Sequence, residues 1–516
     1  MKFIITYLFI TLGFFSLSQQ NTILLNTFFK DHLLNNSKSN YYQGNGFLPV
    51  VESQYNLQEQ TRDSSKQYYE FTEVLFKKHL IEAKGNNYYL TISPILDFTL
   101  GKDISDTTGR RLFQNTRGVF VEGDLFKNFS FSTAFFENQA RFSNYETSYY
   151  SSIGELYPNQ SAGTYTTQNA VIPGSGRTKP FKVDGFDYAY AIGNIVYKPH
   201  RSVILSAGNT SHFIGDGYRS LFLSDNSVPA PFFHGIVNIS KKLQFNYFRM
   251  RLINLIRKPV STTVEAYYET KAFSANYLTF LPTKNLSISL FEGVIWSKGD
   301  SIVSKKVNPL YYNPIPFIAE LILDEKEINS VIGLNFSYTP FLSHRIYGQF
   351  GIGNLNVKNI AYQIGYRGYN YFGLKNFIIQ AEFNSVADGM YESLNSRLNY
   401  SHYNLPMAHV KGNNFQEIVF RCNYEWKRLY ADMKTICYFL KDYNTLSLLP
   451  IEKNNSLEHG TLFLQQIELG YRFNKKMNLT FFGNWSYRSP SNFATVSTNQ
   501  IFIGLRTGIN NHYNDF

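Results

Sequence analysis

Residues 420–426 read Phe-Arg-Cys-Asn-Tyr-Glu-Trp, so apolar and polar side chains alternate along the whole stretch. Successive side chains of a β-strand point to opposite faces, and this segment therefore has one apolar face and one charged face. Segments of roughly ten residues with the same alternation recur from about residue 88 to Phe516. A soluble sandwich would bury the apolar face in its own core, whereas a membrane barrel turns that face to lipid and keeps the polar face for its lumen.

The composition favours the barrel over the sandwich. Aromatic residues make up 17% of the chain, with 39 Tyr and 46 Phe, which suits the aromatic girdles at the two membrane interfaces. A soluble protein with so many aromatic residues on strand faces would risk edge-to-edge aggregation. The formal net charge is +11 and the basic residues are scattered, which argues against a nucleic-acid partner. The charge is compatible with contact to lipopolysaccharide or anionic glycans, or with an ordinary mixed lumen and loop surface.

The N-terminus predicts export. A short basic start at Met1-Lys2 precedes an apolar run over residues 3–15, and small residues follow at Ser16 and Ser18. This is the pattern of a secretory signal peptide over residues 1–18, cleaved after Ser18. No later stretch reaches the ~18 uninterrupted apolar residues of a membrane helix. We therefore expect a location in the outer membrane of a Gram-negative bacterium, with the alternative of a soluble secreted β-protein.

A segment of different character precedes the strands. Within residues 19–86, the spacing of apolar side chains predicts helices at 22–34 and 72–83, with Gly85 as the stop of the second. We expect this segment to form a small helical element on the periplasmic side, and residues 87–516 to form the barrel.

The periodic segments predict a closed, all-β, antiparallel transmembrane β-barrel of 16–18 strands, because bacterial barrels close with even numbers. Short links at 427–428 and 474–476 are typical of periplasmic turns, and longer links are typical of outside loops. We expect inward loops and charges to fill the lumen. The predicted strands are 88–100, 113–124, 129–138, 186–198, 202–209, 236–252, 263–275, 286–297, 330–339, 344–353, 360–371, 374–385, 416–426, 429–440, 462–473, 477–488 and 498–509.

Two polar and aromatic clusters are candidate glycan contacts. In the first, Gly residues give the backbone freedom, and an acidic and a basic side chain suit hydroxyl-rich ligands. In the second, aromatic faces suit sugar rings. The alternative for both is a loop that folds into the barrel and is held by its own ion pairs. The candidate residues are Asp216, Tyr218, Arg219 and Asp225 in the first cluster, and Tyr400, His402, Tyr403 and His409 in the second.

The sequence gives little support for catalysis, metals or cofactors. His212, Asp216, Asp225 and His234 have no zinc-like spacing, so no metal site is predicted. The run at 399–402 has the residue types of a hydrolase relay, but adjacent positions in one segment cannot present a relay. We expect neither enzyme activity nor a cofactor.

Several stretches resemble the Wzi-like capsule-assembly outer-membrane barrels, and within them most nearly the RemB group of gliding-motility proteins. The most specific stretch is Gly-Asp-Gly-Tyr-Arg-Ser-Leu at 215–221. The others are residues 135–139, 223–226, 290–292, 380–384, 399–404, 408–409 and 513–516. The resemblance covers most of the chain from about residue 70.

This resemblance implies a barrel of about 18 strands with a helical N-terminal part and a non-enzymatic role in capsule assembly or gliding motility. Its implied partners are exopolysaccharide, or motility and surface proteins. One departure stands out, because relatives carry an acidic pair where this chain reads Phe-Gly-Ile-Gly-Asn at 350–354. The alternative function is a porin-like channel for small solutes.

Overall fold

The computed structural model of the protein describes residues 22–36, 46–51, 70–159, 164–258, 268–298, 306–341, 343–451, 457–491 and 496–516. Eighteen antiparallel strands pair in chain order, and the last strand pairs with the first, which closes the barrel. The prediction of a closed all-β barrel is confirmed. The strands are β1 Tyr88–Asp103, β2 Arg111–Leu125, β3 Phe129–Arg141, β4 Gly185–His200, β5 Val203–Thr210, β6 Ala230–Ser240, β7 Leu243–Arg257, β8 Tyr268–Thr283, β9 Leu286–Ser297, β10 Ile328–Phe341, β11 His344–Gly353, β12 Ile360–Tyr369, β13 Phe377–Val386, β14 Phe415–Trp426, β15 Leu429–Tyr443, β16 Glu458–Asn474, β17 Leu479–Ser491 and β18 Thr498–Thr507.

The alternation at 420–426 has the predicted orientation. Phe420 and Trp426 are exposed on the outer wall, whereas Arg421 and Glu425 are buried in the lumen. The same division recurs around the barrel: the outer wall is largely apolar, whereas the lumen side carries buried polar and charged groups together with a buried apolar cluster. An apolar outer band around a polar interior is the arrangement that a barrel in lipid requires.

The eighteenth strand is the one that the periodicity misses. The predicted strand 236–252 is two strands, β6 and β7, which form a hairpin through a turn at Lys241 and Lys242. The prediction of one strand is wrong because this turn contains no Gly, Pro, Asn or Asp to mark it.

The two ends of the barrel differ as expected. At the short-turn end, strands are joined by a few residues, as at 427–428 and 475–478. At the long-loop end, the connections are much longer and carry helices and short strands. These long connections are 142–184, 211–229, 298–327, 387–414 and 444–457.

The helices near the N-terminus are shorter than predicted. Helix α1 runs from Thr27 to Asn36, and its start is capped by the Asn26 side chain, which accepts a hydrogen bond from the Phe28 amide at 2.9 Å. Helix α2 is Glu70–Phe76, so the predicted helix at 72–83 ends earlier than expected. The last part of that prediction is wrong because Ile81–Lys84 form a strand that pairs with β1. The other helices of the described ranges are α3 Asn144–Ser152 and α4 Ile318–Ile322, with a few single turns of 3-10 helix.

None of the helices in the described ranges has the length and apolarity needed to span a bilayer. The predicted signal peptide at 1–18 lies outside the described residues. Helix α1 does not lie beside the barrel as a separate periplasmic element. It lies inside the lumen toward the short-turn end, because the buried Asp31 carboxylate forms ion pairs with Arg367 and Arg421 of the wall.

Candidate functional site: plugged lumen and outer rim

Four parts of the chain fill the lumen, and we call them together the lumen plug. Two come down from the long-loop end, one comes from the N-terminal side, and one follows β18. Short strands tie them to one another, as where Phe47–Leu48 pairs with Phe213–Ile214. The plug consists of residues 22–36 with 46–51, residues 211–229, residues 387–414 and residues 508–516.

Arg219 is the centre of the plug's charge network. Its side chain is only 2% exposed, and its guanidinium donates to Glu417 of β14 at 3.1 Å and to the Tyr438 hydroxyl at 2.7 Å. It also forms an ion pair with Asp515 at 3.1 Å. On the far side of Glu417, His409 lies 2.7 Å from the other carboxylate oxygen. A buried guanidinium with this many partners holds the plug to the wall.

The other residues of the first predicted cluster also have internal partners. Asp216 pairs with Arg345 of β11 at 2.7 Å. Asp225 accepts hydrogen bonds from Tyr513 at 2.7 Å and from Asn511 at 3.0 Å. The Tyr218 hydroxyl donates to the Asp515 carboxylate. The stretch 215–225 therefore forms the loop inside the barrel that the sequence left as the alternative.

The second predicted cluster lies in the same plug. Tyr400 is fully buried and its hydroxyl donates to the Phe222 carbonyl at 2.8 Å. His402 is 1% exposed and accepts from the Ile253 amide at 3.0 Å, and burial lowers its pKa to about 3. The Tyr403 amide donates to the Ile253 carbonyl at 2.9 Å. His402 and Tyr403 thus join the plug to β7, and Tyr400 joins two parts of the plug.

The segment after β18 crosses the lumen. It leaves the wall at Gly508, near the short-turn end, and reaches helix α3 of the long-loop end at Phe516. The Phe516 ring lies 4.2 Å from the ring of Tyr149, and the Tyr145 hydroxyl donates to the Asn514 carbonyl at 2.9 Å. Strand β18 ends at Thr507, close to the end of the predicted strand 498–509, and polar residues after it find partners in the lumen.

A cavity of about 230 Å³ remains between helix α1 and the wall toward the short-turn end. Charged pairs line it, including Asp31 with Arg421 at 2.8 Å. Its lining also includes Asp97, Gln114, Lys434, Gln466, Glu468 and Arg506. The plug thus leaves a polar chamber at one end of the lumen.

No cluster of three or more His, Cys, Asp or Glu side chains in the described ranges could hold a metal ion. His212 and His234 instead contact the buried ring of Phe47, at centroid distances of 6.0 and 4.5 Å. Burial lowers the pKa of His212 well below its usual value, which is consistent with a neutral core histidine.

A partly exposed cluster at the long-loop end is absent from the sequence predictions, and we call it the outer rim. Its frame is a hairpin, Glu155–Asn159 with Thr164–Gln168, that extends the edge of the barrel beside β7. The Arg257 guanidinium lies 4.6 Å from the centre of the Tyr157 ring. Arg397 donates to the Tyr165 hydroxyl at 3.0 Å and has a side chain that is 33% exposed.

The rim is not predictable from the sequence because its members come from two separate connections and β7. The sequence signal that exists is the pair of tyrosines, at 157 and 165, in a short alternating hairpin within the long connection after β3.

The fold and the filled lumen define an 18-stranded antiparallel barrel of the transmembrane type with an internal plug. Among solved structures, the chain is similar to Wzi of Escherichia coli, described as a carbohydrate-binding outer-membrane β-barrel involved in group 1 capsule assembly. The identity is 11%, the TM-score is 0.52, and the match covers 94% of this chain and 99% of that one. At this identity the similarity establishes a shared fold.

A second solved structure matches with a lower score. OprD of Pseudomonas aeruginosa has 10% identity and a TM-score of 0.43, with coverage of 81% of this chain and 94% of that one. No protein-family model matches the sequence, and no curated protein matches it significantly.

Proposed function

We propose that this protein is an outer-membrane barrel that holds or organises polysaccharide at the cell surface and is not an open diffusion channel. The observation that carries the proposal is the lumen plug, which is anchored to the wall by the buried Arg219–Glu417 and Arg345–Asp216 pairs. A channel for small solutes needs a continuous water-filled path, and a plug fixed by buried ion pairs is costly to displace. The similarity of the whole fold to Wzi supports the same reading.

The outer rim is the surface that we assign to glycan contact. Tyr157 and Tyr165 are half-buried, so part of each ring faces solvent at the long-loop end. Aromatic faces pack against the apolar faces of sugar rings, and arginine donors suit hydroxyls and carboxylates. Arg257 and Arg397 stand beside the two rings with side chains that are 19% and 33% exposed, and ion pairs with Glu155 at 2.6 Å and Glu269 at 2.9 Å hold them in place. The rim thus takes the role that the sequence assigned to the buried plug residues.

The experiment compares a strain that lacks the protein with strains that carry variants. A Tyr157→Ala/Tyr165→Ala double variant should reach the outer membrane and lose cell-attached polysaccharide. The matched control is Tyr197→Ala, since Tyr197 is 46% exposed on the outer wall near the short-turn end. Normal retention in the rim variant, with the protein present at normal amounts, would contradict a role for the rim.

The resemblance to the RemB group adds gliding motility as a second candidate role. Its most specific stretch, residues 215–221, lies in the plug, so this role depends on the plugged barrel as much as the first does. Colony spreading is measured in the same strains. Impaired spreading with polysaccharide intact in the deletion strain would favour motility, whereas lost polysaccharide with normal spreading would favour capsule organisation.

A solute channel is the remaining alternative, and the polar cavity of about 230 Å³ is the feature that favours it. A channel function requires that the plug move aside when the protein is in the membrane. Ion conductance of the purified protein separates this function from the proposed one.

A further inference from the structure

One connection folds back over the outside of the barrel, and we call residues 307–323 the outer-wall cap. It belongs to the connection between β9 and β10 and contains helix α4. Its inner side packs on the wall through Leu310, Tyr311, Ala319 and Leu323, which contact a buried apolar cluster with Trp296. The cap therefore lies on the surface that faces lipid elsewhere around the barrel.

Beside this apolar cluster, the wall beneath the cap carries two outward-pointing charged side chains. Arg249 pairs across strands with Phe233, which is 42% exposed outside, so Arg249 also points outward. Glu292 shares its face of β9 with Ile288, which is 39% exposed outside. Both charged side chains are nevertheless buried, because the cap covers them.

The cap supplies one partner for each of these outward charges, and the wall supplies another. The Arg249 guanidinium donates to the Asn313 carbonyl at 2.7 Å and lies 3.7 Å from the centre of the Tyr247 ring. Glu292 accepts from the Phe317 amide at 2.6 Å and from the Asn276 side chain at 2.7 Å. Charged groups facing hydrocarbon without such partners would be costly.

The side of the cap that faces away from the barrel is apolar. Tyr312 is 65% exposed, Ile315 59%, Leu321 80% and Ile322 63%. Between residues 307 and 323 the single charged side chain is Glu320, which is partly buried. Charges resume at Asp324–Glu327, where the cap returns to the long-loop end. This pattern matches that of a segment with its middle in hydrocarbon and its ends in water.

The height of the covered patch on the wall also places it within the membrane. At a rise of ~3.3 Å per residue and a strand tilt of ~40°, Glu292 lies about 18 Å above the turn at Asn285, within an apolar band about 25 Å tall. On the same strand face, Ile288 and Leu290 lie below Glu292 on the bare wall. The apolar side of the cap is continuous with this lipid-facing surface.

We propose that the outer-wall cap lies in the outer leaflet of the membrane, where its apolar side contacts lipid acyl chains while the backbone of its inner side hydrogen-bonds the buried Arg249 and Glu292 of the barrel wall. We assign lipid as the partner of this surface because the exposed cap residues are large and apolar and continue the lipid-facing wall. The cap thus acts as a lateral anchor of the barrel on one side.

Spin labelling of the full-length protein in lipid vesicles tests the proposal. Cys422 and Cys437 are free and are first replaced by Ala. A nitroxide is then placed through Leu321→Cys in the cap, and reference labels are placed through Leu334→Cys on the bare wall, where Leu334 is 47% exposed, and Val183→Cys in a long loop, where Val183 is 89% exposed. Collision rates are measured with oxygen, which concentrates in lipid, and with a water-soluble nickel chelate.

The proposal predicts an oxygen-to-nickel ratio at residue 321 that is close to the ratio at residue 334 and well above the ratio at residue 183. A ratio like that of Val183 would place the cap in water and overturn the proposal. Low access to both reagents with spin–spin broadening would show a second copy of the chain on the cap, which also overturns it. The Leu334 label separately reports whether the barrel is in the bilayer, so failure of the membrane assignment is distinguishable from failure of the cap assignment.

Discussion

Arg219 and Asp515 form a buried ion pair with a separation of 3.1 Å, although they lie 296 residues apart in the chain. Arg219 comes from a connection at the long-loop end, and Asp515 comes from the segment that enters the lumen after β18. The pair therefore links two parts of the plug that enter from opposite ends of the barrel. Glu417 of β14 contacts the same guanidinium and fixes both parts to the wall.

Arg219→Met should open the lumen. The substitution keeps much of the side-chain volume but leaves the buried Glu417 and Asp515 carboxylates without their shared cation, and breaking a buried pair in this way costs about 3–5 kcal/mol. We expect current steps in planar bilayers that the unaltered protein does not give. Arg201→Met, in an exposed turn, is the control. Silent bilayers from a correctly folded Arg219→Met protein would show that this network does not hold the plug.

Asp515→Asn should lower the unfolding temperature in a pH-dependent way. Burial acts to raise the Asp515 pKa, but the charges of Arg219 and Lys434 outweigh it and hold this pKa well below its usual value. The stabilisation from a depressed carboxyl pKa is fully present above the unfolded value of ~3.9 and declines as the pH falls below that value. The difference between variant and unaltered protein, read from heat-modifiable gel mobility, should be larger at neutral pH than in acid.

The control for this pH dependence is Asp388→Asn, which changes an exposed carboxylate in another connection. It should shift the unfolding temperature little at either pH. A shift from Asp515→Asn that is equally large in neutral and acidic buffer would contradict the assigned role of its charge.

Asp31→Asn should loosen helix α1 without unfolding the barrel. Asp31 lies 2.8 Å from Arg421 and 3.8 Å from Arg367, and charge-assisted hydrogen bonds contribute about 1.5–3 kcal/mol. Hydrogen exchange of the α1 amides should therefore accelerate by about tenfold or more, while the amides of β14 stay protected. Asp184→Asn, in an exposed loop, should leave exchange of α1 unchanged. Equal exchange in both variants would remove Asp31 as the anchor of α1.

Phe516→Ala should release the segment after β18 from helix α3. The ring packs among Tyr145, Tyr149 and Tyr150, and removal of a buried phenylalanine ring costs about 3–5 kcal/mol. We expect faster hydrogen exchange in residues 508–515 and a lower unfolding temperature. Phe126→Ala is the matched control, since Phe126 is 67% exposed in a short turn. The same loss from both variants would mean that the Phe516 contacts add nothing specific.

The sequence predicts the barrel wall well because its determinants are local. A strand between lipid and a polar lumen must alternate at every residue, as residues 420–426 do, and the pattern is visible without knowledge of neighbouring strands. It fails where a turn carries no turn residues, as at Lys241 and Lys242, and where a helical spacing continues into a strand, as at residues 81–84.

The plug and the rim cannot be predicted from local patterns because the residues that contact one another in them are distant in sequence. The stretch 215–225 is recognisable as unusual. However, nothing in the local sequence around Arg345, Glu417 and Asp515 identifies them as its ion-pair partners. Phe516 fits a terminal strand equally well by residue type, and only the lumen contacts of residues 508–515 show where it goes. The rim requires side chains from separate connections to meet.

Conductance of the unaltered protein in planar lipid bilayers tests the central claim most directly. The claim is that the lumen plug closes the barrel, and that the protein therefore functions at the cell surface and not as a channel for solutes. Insertion of the unaltered protein is verified separately, by its heat-modifiable gel mobility after recovery from vesicles of the same lipid. We predict that the unaltered protein gives no steps above the protein-free membrane, and steady, ohmic steps from it would contradict the account.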